Sequence, residues 1–473
     1  MEIPCSDYEK MVFKKIAKAA AKLQVPCYLI GGFVRDKLLN RPTKDADFVC
    51  VGNGLELAQE AARQFRPQPS VQLFKHYGTA QFRLSDGFDL EFVGARKESY
   101  QLESRNPDVV PGTLEDDQNR RDFTINALAV SLNEQDFGQL VDPFNGLEDL
   151  KNCVLKTPLD PDQTFSDDPL RMMRGVRFAA QLNFQIDPGT LASITRNRER
   201  IRIITQERIT DELNKIVGSP KPSIGFDHLY KTGLLHLIFP EMAALSGAQY
   251  IDGKGHKDNF YHTLQVLDNV AERTSNLWLR WAAIFHDIGK PATKRFEEGH
   301  GWTFHGHEVV GGRMVPKIFG KLRLPLGEPM KYVQKLVELH LRPIGLSKED
   351  ITDSAMRRLL FDAGDDFDDL MILCESDITS KNRHKVKRFL ENFNLVRKRC
   401  AEVEESDRVR NWQPPVSGEQ IMQTFGIGPS KPVGIIKTAI REAILDGVIS
   451  NDFEAAFQFM LQKGSELGLR PVQ

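Results

Sequence analysis

Two glycines and two aspartates near the start of the chain carry its most telling chemistry. Gly31 and Gly32 end the apolar run 28–30, which reads as a buried strand, and glycines let a backbone approach a phosphate closely. Arg35 and Asp36 then open a short helical turn. Asp45 and Asp47 stand two apart in the extended segment 45–51, so their carboxylates share one strand face. Two carboxylates beside a glycine-lined phosphate site are what a Mg²⁺-assisted phosphoryl or nucleotidyl transfer needs. Glu91, in Asp89-Leu90-Glu91-Phe92-Val93, is the candidate for a third metal carboxylate on a second strand.

Two later blocks add cations. Arg120-Arg121-Asp122-Phe123-Thr124-Ile125-Asn126 joins arginines, an acid and an amide to an apolar helix expected over 124–129, with Asp122 and Thr124 as its N-caps. Forked guanidinium donors suit the oxyanions of a triphosphate. In the block that runs from Asp167-Asp168-Pro169-Leu170 to Arg177, Arg171, Arg174 and Arg177 repeat every three residues and share one side of a helix. Pro169 and the two aspartates suit its first turn.

A mixed scaffold must position these groups. Strands are expected at 28–30, 46–51, 80–83, 88–93 and 140–141, with a helix over 55–65 and an amphipathic helix before them, ending near Gln24. From about Asp160 the pattern is helical nearly throughout, with joints at Gly218-Ser219-Pro220, Pro240, Gly253 to Gly255 and Pro343. This predicts an α/β head with a mixed sheet followed by a long all-α body. Divided further, the 473 residues give an N-terminal helix (1–26), a head (27–155), a neck (156–235), a helical body (236–385) and a helical tail (386–473).

With 41% apolar and 27% charged residues and a net charge of −2, the composition excludes neither nucleic acid nor a small anion. Charge is segregated: basic residues outnumber acidic ones over 171–221 and again over 381–399, which after a metal-and-phosphate head points to polyanion binding. Six cysteines without a CxxC pair read as reduced thiols of a cytoplasmic protein. Neither a signal-peptide core nor a membrane span is present in the sequence pattern.

In this order the blocks resemble the class II tRNA nucleotidyltransferase and bacterial poly(A) polymerase family over residues 27 to about 235. The resemblance implies a palm-like nucleotidyltransferase head and assigns roles. Gly31, Gly32 and Arg35 contact the phosphates of the incoming nucleotide, Asp45 and Asp47 hold the catalytic Mg²⁺ ions, and Glu91 takes the third carboxylate position. Arg121, Asp122 and Asn126 contact ribose and phosphate. Asp168 and Arg171 match the family's protein template, which reads the base edge of CTP or ATP, with Arg174 and Arg177 beside it. The family's Glu-Asp-x-x-Arg reads Asp167-Asp168-Pro169-Leu170-Arg171 here, so the first acid is shorter. Segment 97–118, with Arg105, Pro107 and Gly112, looks like the flexible loop that full CCA enzymes have and CC-adding enzymes lack. Phe74-Lys75-His76-Tyr77-Gly78 stands where the polyadenylating branch carries an arginine-rich motif. CCA addition to tRNA is implied, with A addition or poly(A) synthesis as the alternative within the family.

A second constellation lies in the body. His262, His286-Asp287, His307, His340 and Asp377 follow the order H…HD…H…H…D on helical segments, with Phe285-His286-Asp287-Ile288-Gly289-Lys290-Pro291 as context. This resembles the HD phosphohydrolase superfamily over about 255–380. Such ligands suit Mn²⁺, Fe, Ni²⁺ or Mg²⁺ better than a closed zinc site. The tail segment Gly426-Ile427-Gly428-Pro429 resembles glycine turns that offer backbone N–H groups to nucleic-acid phosphates, an ordinary helical bundle being the other reading. Two other function classes compete with nucleotide addition: an HD metallophosphohydrolase with a nucleotide-sensing head, and a non-catalytic RNA-binding module. Asp45, Asp47 and the Asp168/Arg171 pair speak against both.

Overall fold

Short apolar runs between residues 27 and 141 pair into a seven-stranded mixed sheet. The structure, a computed structural model, describes residues 1–251, 254–256, 258–346, 352–380, 382–407 and 412–472. The expected joint residue Gly253, and Lys381 at the start of the second basic segment, lie outside these. The strands are β1 (Cys27–Ile30), β2 (Asp45–Cys50), β3 (Gln72–Phe74), β4 (Thr79–Arg83), β5 (Asp89–Gly94), then a separate hairpin of β6 (Arg96–Ser99) and β7 (Asp108–Pro111), and β8 (Ala129–Ser131) and β9 (Leu140–Val141). The order across the sheet is β3-β4-β5-β2-β1-β8-β9. Only β2 and β5 run parallel; every other pair in the sheet is antiparallel.

Alternation decides which face is core. Phe48, Leu90 and Phe92 point to one side, where they are fully buried. There they meet α1 (Asp7–Lys22), whose Val12, Phe13 and Ile16 are buried and whose start is fixed by a Ser6/Glu9 capping box. Phe13 packs edge-on against Phe33 and Phe48 (ring centroids 5.5 and 5.9 Å apart), and Phe92 stacks on Phe48 and Phe82 (5.0 and 5.3 Å). Between these come α2 (Gly32–Leu38) and α3 (Gly54–Ala62). The opposite face is closed over Ile30, Val49 and Ala129, is open around Asp45 and Glu91, and carries the aspartates.

Three local expectations change. The helix expected over 124–129 is a single 3₁₀ turn, Thr124–Asn126, because Ala129 pairs with Ile30 and continues as β8. Asp122 and Thr124 cap nothing: the Asp122 carboxylate accepts from the Phe123 N–H and the Asn126 amide, and the Thr124 hydroxyl donates to Asp149 at 2.6 Å. Segment 97–118 is mostly regular, with the β6–β7 hairpin followed by α4 (Leu114–Asn119).

Helices then take over: α5 (Gly146–Lys151), α6 (Pro161–Asp167), α7 (Leu170–Leu182), α8 (Pro188–Asn197) and α9 (Gln206–Val217). Asp167 therefore closes α6, where Gln163 donates to it, instead of opening α7. The chain divides into two units, Met1–Ala243 and Ala244–Gln473. The second is helical with two short hairpins, and its tail bundle has its own core of Val416, Ile421, Phe425, Ile436, Ile440 and Met460. In that bundle Gly426 is the left-handed C-cap of helix Gly418–Phe425. Among the described residues no helix is long and apolar enough to cross a membrane.

The close approach of the start of α3 to β5 rests on one glycine. A Cβ on Gly54 would lie 2.6 Å from the Val93 carbonyl carbon and 2.7 Å from the Gly94 nitrogen, both backbone atoms. Gly54→Ala is expected to cost about 1–3 kcal/mol through overpacking, read as a lower urea midpoint with an unchanged slope. A midpoint equal to wild type would show that the helix start yields freely.

Candidate active site

The parallel pairing of β2 with β5 sets Asp45 beside Asp89 and Asp47 beside Glu91. All four carboxylates share the open face. Burial raises the Asp47 carboxyl above its usual range; Arg121 opposes the rise and Asp45 adds to it. Glu91 is raised by burial and by Asp47. Asp89 goes the other way, because Arg83 grips it through two 2.6 Å bonds. An all-oxygen, acidic donor set in which Asp47 and Glu91 are raised fits a hard divalent cation, whose charge would hold those two carboxyls ionised.

Beside Asp47 opens a cavity of about 770 Å³. Its wall brings together Gly31, Gly32, Arg35, Asp47, Arg121, Asp122, Asn126, Asp168, Arg171, Arg174 and Arg177. Asp45 and Glu91 adjoin Asp47 on the sheet, outside that wall. Gly31 has φ 81°, and a Cβ there would sit 3.2 Å from the Arg121 guanidinium and 3.7 Å from the Asp47 carboxylate, so only glycine fits.

Buried acids hold the arginines in place. Asp117 on α4 is fully buried and accepts from Arg120 through one oxygen (2.8 and 3.0 Å) and from Arg121 through the other (2.9 and 3.2 Å). A second chain runs Arg35 to the Asn126 oxygen (2.8 Å), the Asn126 amide to Asp122 (3.0 Å), and Arg174 to Asp122 (2.7 Å). Burial works to raise the Asp122 carboxyl, but Arg174 and Asn126 bring it down to about 2, so it stays charged. Arg177 pairs with Glu212 on α9 at 2.5 Å.

The base-reading candidates are engaged separately. Asp168 accepts two bonds from Arg105 of the β6–β7 hairpin (2.8 and 3.0 Å) and one from the Leu170 N–H. Arg171 donates to the Thr164 and Arg120 carbonyls (3.2 and 2.7 Å) and to the Tyr100 hydroxyl (3.3 Å), which itself donates to Glu98 (2.6 Å). Sequence reasoning missed Tyr77, Phe178 and Glu212 in this wall. Phe178 carries Arg177, Arg35 and Arg174 around its ring at 4.2, 5.0 and 5.4 Å. Its place directly after Arg177 was the available signal, masked because a buried helical phenylalanine reads as core.

In the second unit, five helices and their ends bring His262, His286, Asp287, His307, His340 and Asp377 together. His286, His307 and His340 each donate Nδ1–H to the carbonyl three residues earlier, at Ala283, Phe304 and Val337 (2.6, 2.9 and 2.6 Å). That fixes the tautomer and turns every Nε2 inward. All three Nε2 atoms are buried and make no hydrogen bond. Asp287 lies 3.3 Å from the Nε2 of His286 and 3.2 Å from that of His307, while His262 Nε2 meets Asp377 at 2.8 Å. Candidate ligand atoms of His262, His286 and Asp287 lie within 4.8 Å of one another, as do those of Asp287, His307 and His340, so Asp287 is common to two groups. Burial opposes charge on both rings that follow. Asp287 and Asp377 still push His286 up to about 10, whereas His340, next to His286, falls to about 4. Inward Nε2 atoms without hydrogen-bond partners, crowded by two aspartates, fit a metal ion held by nitrogen and carboxylate, whose charge would take the place of the proton those aspartates favour on His286.

Three stretches of the chain match known families. Residues 27–156 match the family model of the poly A polymerase head domain, 183–245 that of a probable RNA and SrmB-binding site of polymerase A, and 259–366 that of the HD domain. A protein of Nitrosococcus oceani named multifunctional CCA protein is 36% identical over 313 residues, spanning 63% of this chain and 70% of the relative. The A-adding tRNA nucleotidyltransferase of Deinococcus radiodurans is 31% identical over 357 residues, spanning 73% and 79%. Among solved structures, an apo CCA-adding enzyme superposes with a TM-score of 0.66 at 21% identity, covering 97% of this chain and 96% of that one. A tRNA nucleotidyltransferase solved with a primer tRNA and an incoming ATP analog gives 0.56 at 24% identity, covering 81% and 99%. These structural likenesses establish the fold.

The raised carboxyls make a stability prediction. A carboxyl whose folded pKa lies above its unfolded value destabilises the fold above that folded pKa, and the penalty disappears as pH falls below the unfolded value. Asp47→Asn should therefore raise the melting temperature of metal-free protein at neutral pH, with the gain shrinking on acidification. Melting curves in a chelator across that range test it; a neutral-pH loss of stability would mean that the Arg121 attraction outweighs burial.

Proposed function

The chain belongs to the tRNA nucleotidyltransferase and poly(A) polymerase family, and from that premise we propose that it adds C, C and A to tRNA 3′ ends from CTP and ATP. The observation that carries the reading is the single cavity joining an acidic strand face, a cradle of clamped arginines and the Asp168/Arg171 pair. Gly31 and Gly32 present backbone at the phosphates, and Arg35, Arg121 and Arg174, each held by an acid or amide, neutralise the triphosphate. Asp45, Asp47 and Glu91 would hold Mg²⁺, which when bound lowers the pKa of the RNA 3′-hydroxyl and stabilises departing pyrophosphate. Asp168 would accept from the exocyclic amino group of cytosine or adenine while Arg171 donates to the adjacent ring nitrogen. Uracil and guanine present the reverse pattern and leave both groups unpaired.

Addition of A alone, or of poly(A), is the alternative within the family. The Arg105–Asp168 contact favours CCA, since reading C twice and then A requires the base-reading acid to be repositioned, and the hairpin already grips it. Free cysteines, four of them buried, suit a tRNA-processing enzyme working in the reducing cytoplasm.

The second unit supports an additional metal-dependent phosphoester hydrolysis. Its inward, unpartnered imidazole nitrogens around Asp287 carry that reading. His262, His286, Asp287 and Asp377, with His307 and His340, would hold Mn²⁺, Ni²⁺, Fe or Mg²⁺, which when bound lowers the pKa of a water nucleophile. Lys290, 2.7 Å from Asp287, balances the charge of the shared carboxylate.

Incubating the protein with tRNA lacking its 3′ end and each nucleotide singly and together, then sequencing the products, tests the main reading. Products ending in CCA are expected; only A, or long A tails, would select the alternative. Asp168→Ala and Arg171→Ala should cut discrimination against UTP and GTP by about 1–3 kcal/mol per lost partner, and unchanged UTP:CTP ratios of kcat/KM would sink the template assignment. For the second unit, elemental analysis after mild purification should find a transition metal that Asp287→Ala loses. A 2′,3′-cyclic nucleotide should be hydrolysed by wild type and not by that variant, with nucleotide addition little changed. No metal and no turnover would leave the unit a scaffold.

A further inference from the structure

The open face continues past the acids. Cross-strand register runs Ile30–Asp47–Glu91–Gln81–Gln72 from β1 through β2, β5 and β4 to the edge strand β3. The groups proposed to hold the incoming nucleotide, Gly31, Arg35, Arg121, Asn126, Asp168 and Arg171, all come from the β1 end of that row or from later in the chain. Beyond Glu91 the row is uncharged and exposed: Gln81 donates to Gln72 at 2.9 Å. At the end of the hairpin, Phe74 and Tyr77 are 42% and 68% exposed, with exposed Lys75 and His76 between them. Tyr77 also lines the nucleotide cavity, and it forms one wall of a smaller groove of about 220 Å³ with Leu55, Val93, Val109 and Val110.

In-line displacement fixes the rest. The attacking oxygen must approach the α-phosphorus from the side opposite the leaving pyrophosphate. With the triphosphate on the β1 side of Asp47, the attacking strand has β5, β4 and β3 beneath it. A lone exposed aromatic needs no explanation. Two on one hairpin, with the Lys75 cation between them and Tyr77 on the cavity wall, match the way proteins seat single-stranded nucleic acid: base on ring, phosphate on cation. We infer that the β3–β4 hairpin seats the 3′-terminal nucleotides of the RNA being extended. Tyr77 stacks on a base, Lys75 meets the phosphate, and Gln81 hydrogen-bonds the ribose beside Glu91. Tyr77 is a positioning residue for the primer, not for the nucleotide, and the inference rests on the nucleotide-addition reading above.

The test measures kcat/KM for tRNA lacking its 3′ end, and equilibrium CTP binding, in wild type, Tyr77→Ala and Tyr77→Phe. Tyr77→Ala should lower kcat/KM for tRNA by roughly 5- to 150-fold, the worth of one base–aromatic stack. CTP affinity should hold, which also reports an intact fold, and Tyr77→Phe should restore the tRNA value. Loss of CTP affinity, a Phe variant no better than the Ala variant, or an unaffected Ala variant would each overturn the inference alone. A wild type that extends no RNA would overturn the functional reading and the inference with it.

Discussion

Asp45, Asp47, Asp89 and Glu91 share one face of two adjacent strands, and the cost of charging them there, from burial first and mutual repulsion second, is the constraint the head is built around. Two like charges about 4 Å apart near a protein surface repel by about 4 kcal/mol. Arg83 removes Asp89 from the problem, leaving Asp47 and Glu91 with raised carboxyls. The opposite face must supply the compensation. Phe48 and Phe92 on the same two strands, packed with Phe13, Phe33, Phe82 and Phe88, each contribute about 1.5–3 kcal/mol on burial. An aromatic layer under an acidic one is what lets adjacent strands stay paired through their charged side.

The arginines pose the converse problem. Left free, Arg121, whose charge already acts on both Asp47 and Glu91, would fold onto them and close the face to cations. Asp117 engages two guanidiniums from beneath, and the Asp122–Asn126 link fixes two more. Each guanidinium keeps donors toward the cavity while its other edge is occupied. Burying Asp117 is tolerable only because both its oxygens are charge-paired; removing its partners would leave an uncompensated buried charge.

What the sequence disclosed follows from the range of each signal. Asp45 and Asp47 were legible because period-two alternation is local. That Asp47 stands beside Glu91 depends on parallel pairing across an intervening stretch, which no local pattern encodes. The run after Phe123 was misread because a short apolar segment fits helix or strand, and Ile30, a distant partner, decided for strand. Asp167 looked like part of the helix start at α7 because Asp-Asp-Pro fits a first turn, yet α6 reaches it first. The order of histidines and aspartates was plain, but their orientation was not: the Nδ1 bonds to carbonyls three residues back exist only once each helix end is formed.

On the proposed function, Arg105 couples base choice to hairpin position through Asp168. Both Asp168 oxygens are occupied by its guanidinium, in a partly buried pair. Leaving that carboxylate with the Leu170 N–H as its one remaining donor would cost about 1–3 kcal/mol, so the hairpin cannot simply drift away. On that reading, a base that offers an amino group to Asp168 replaces one of those bonds and lowers the cost of release. A base that offers a carbonyl there gains nothing and confronts the carboxylate with a second acceptor. On the proposed function, the hairpin therefore yields to cytosine and adenine and stays closed to uracil and guanine. Selectivity then arises from the exchange of partners at Asp168, with no need for a pocket shaped to each base.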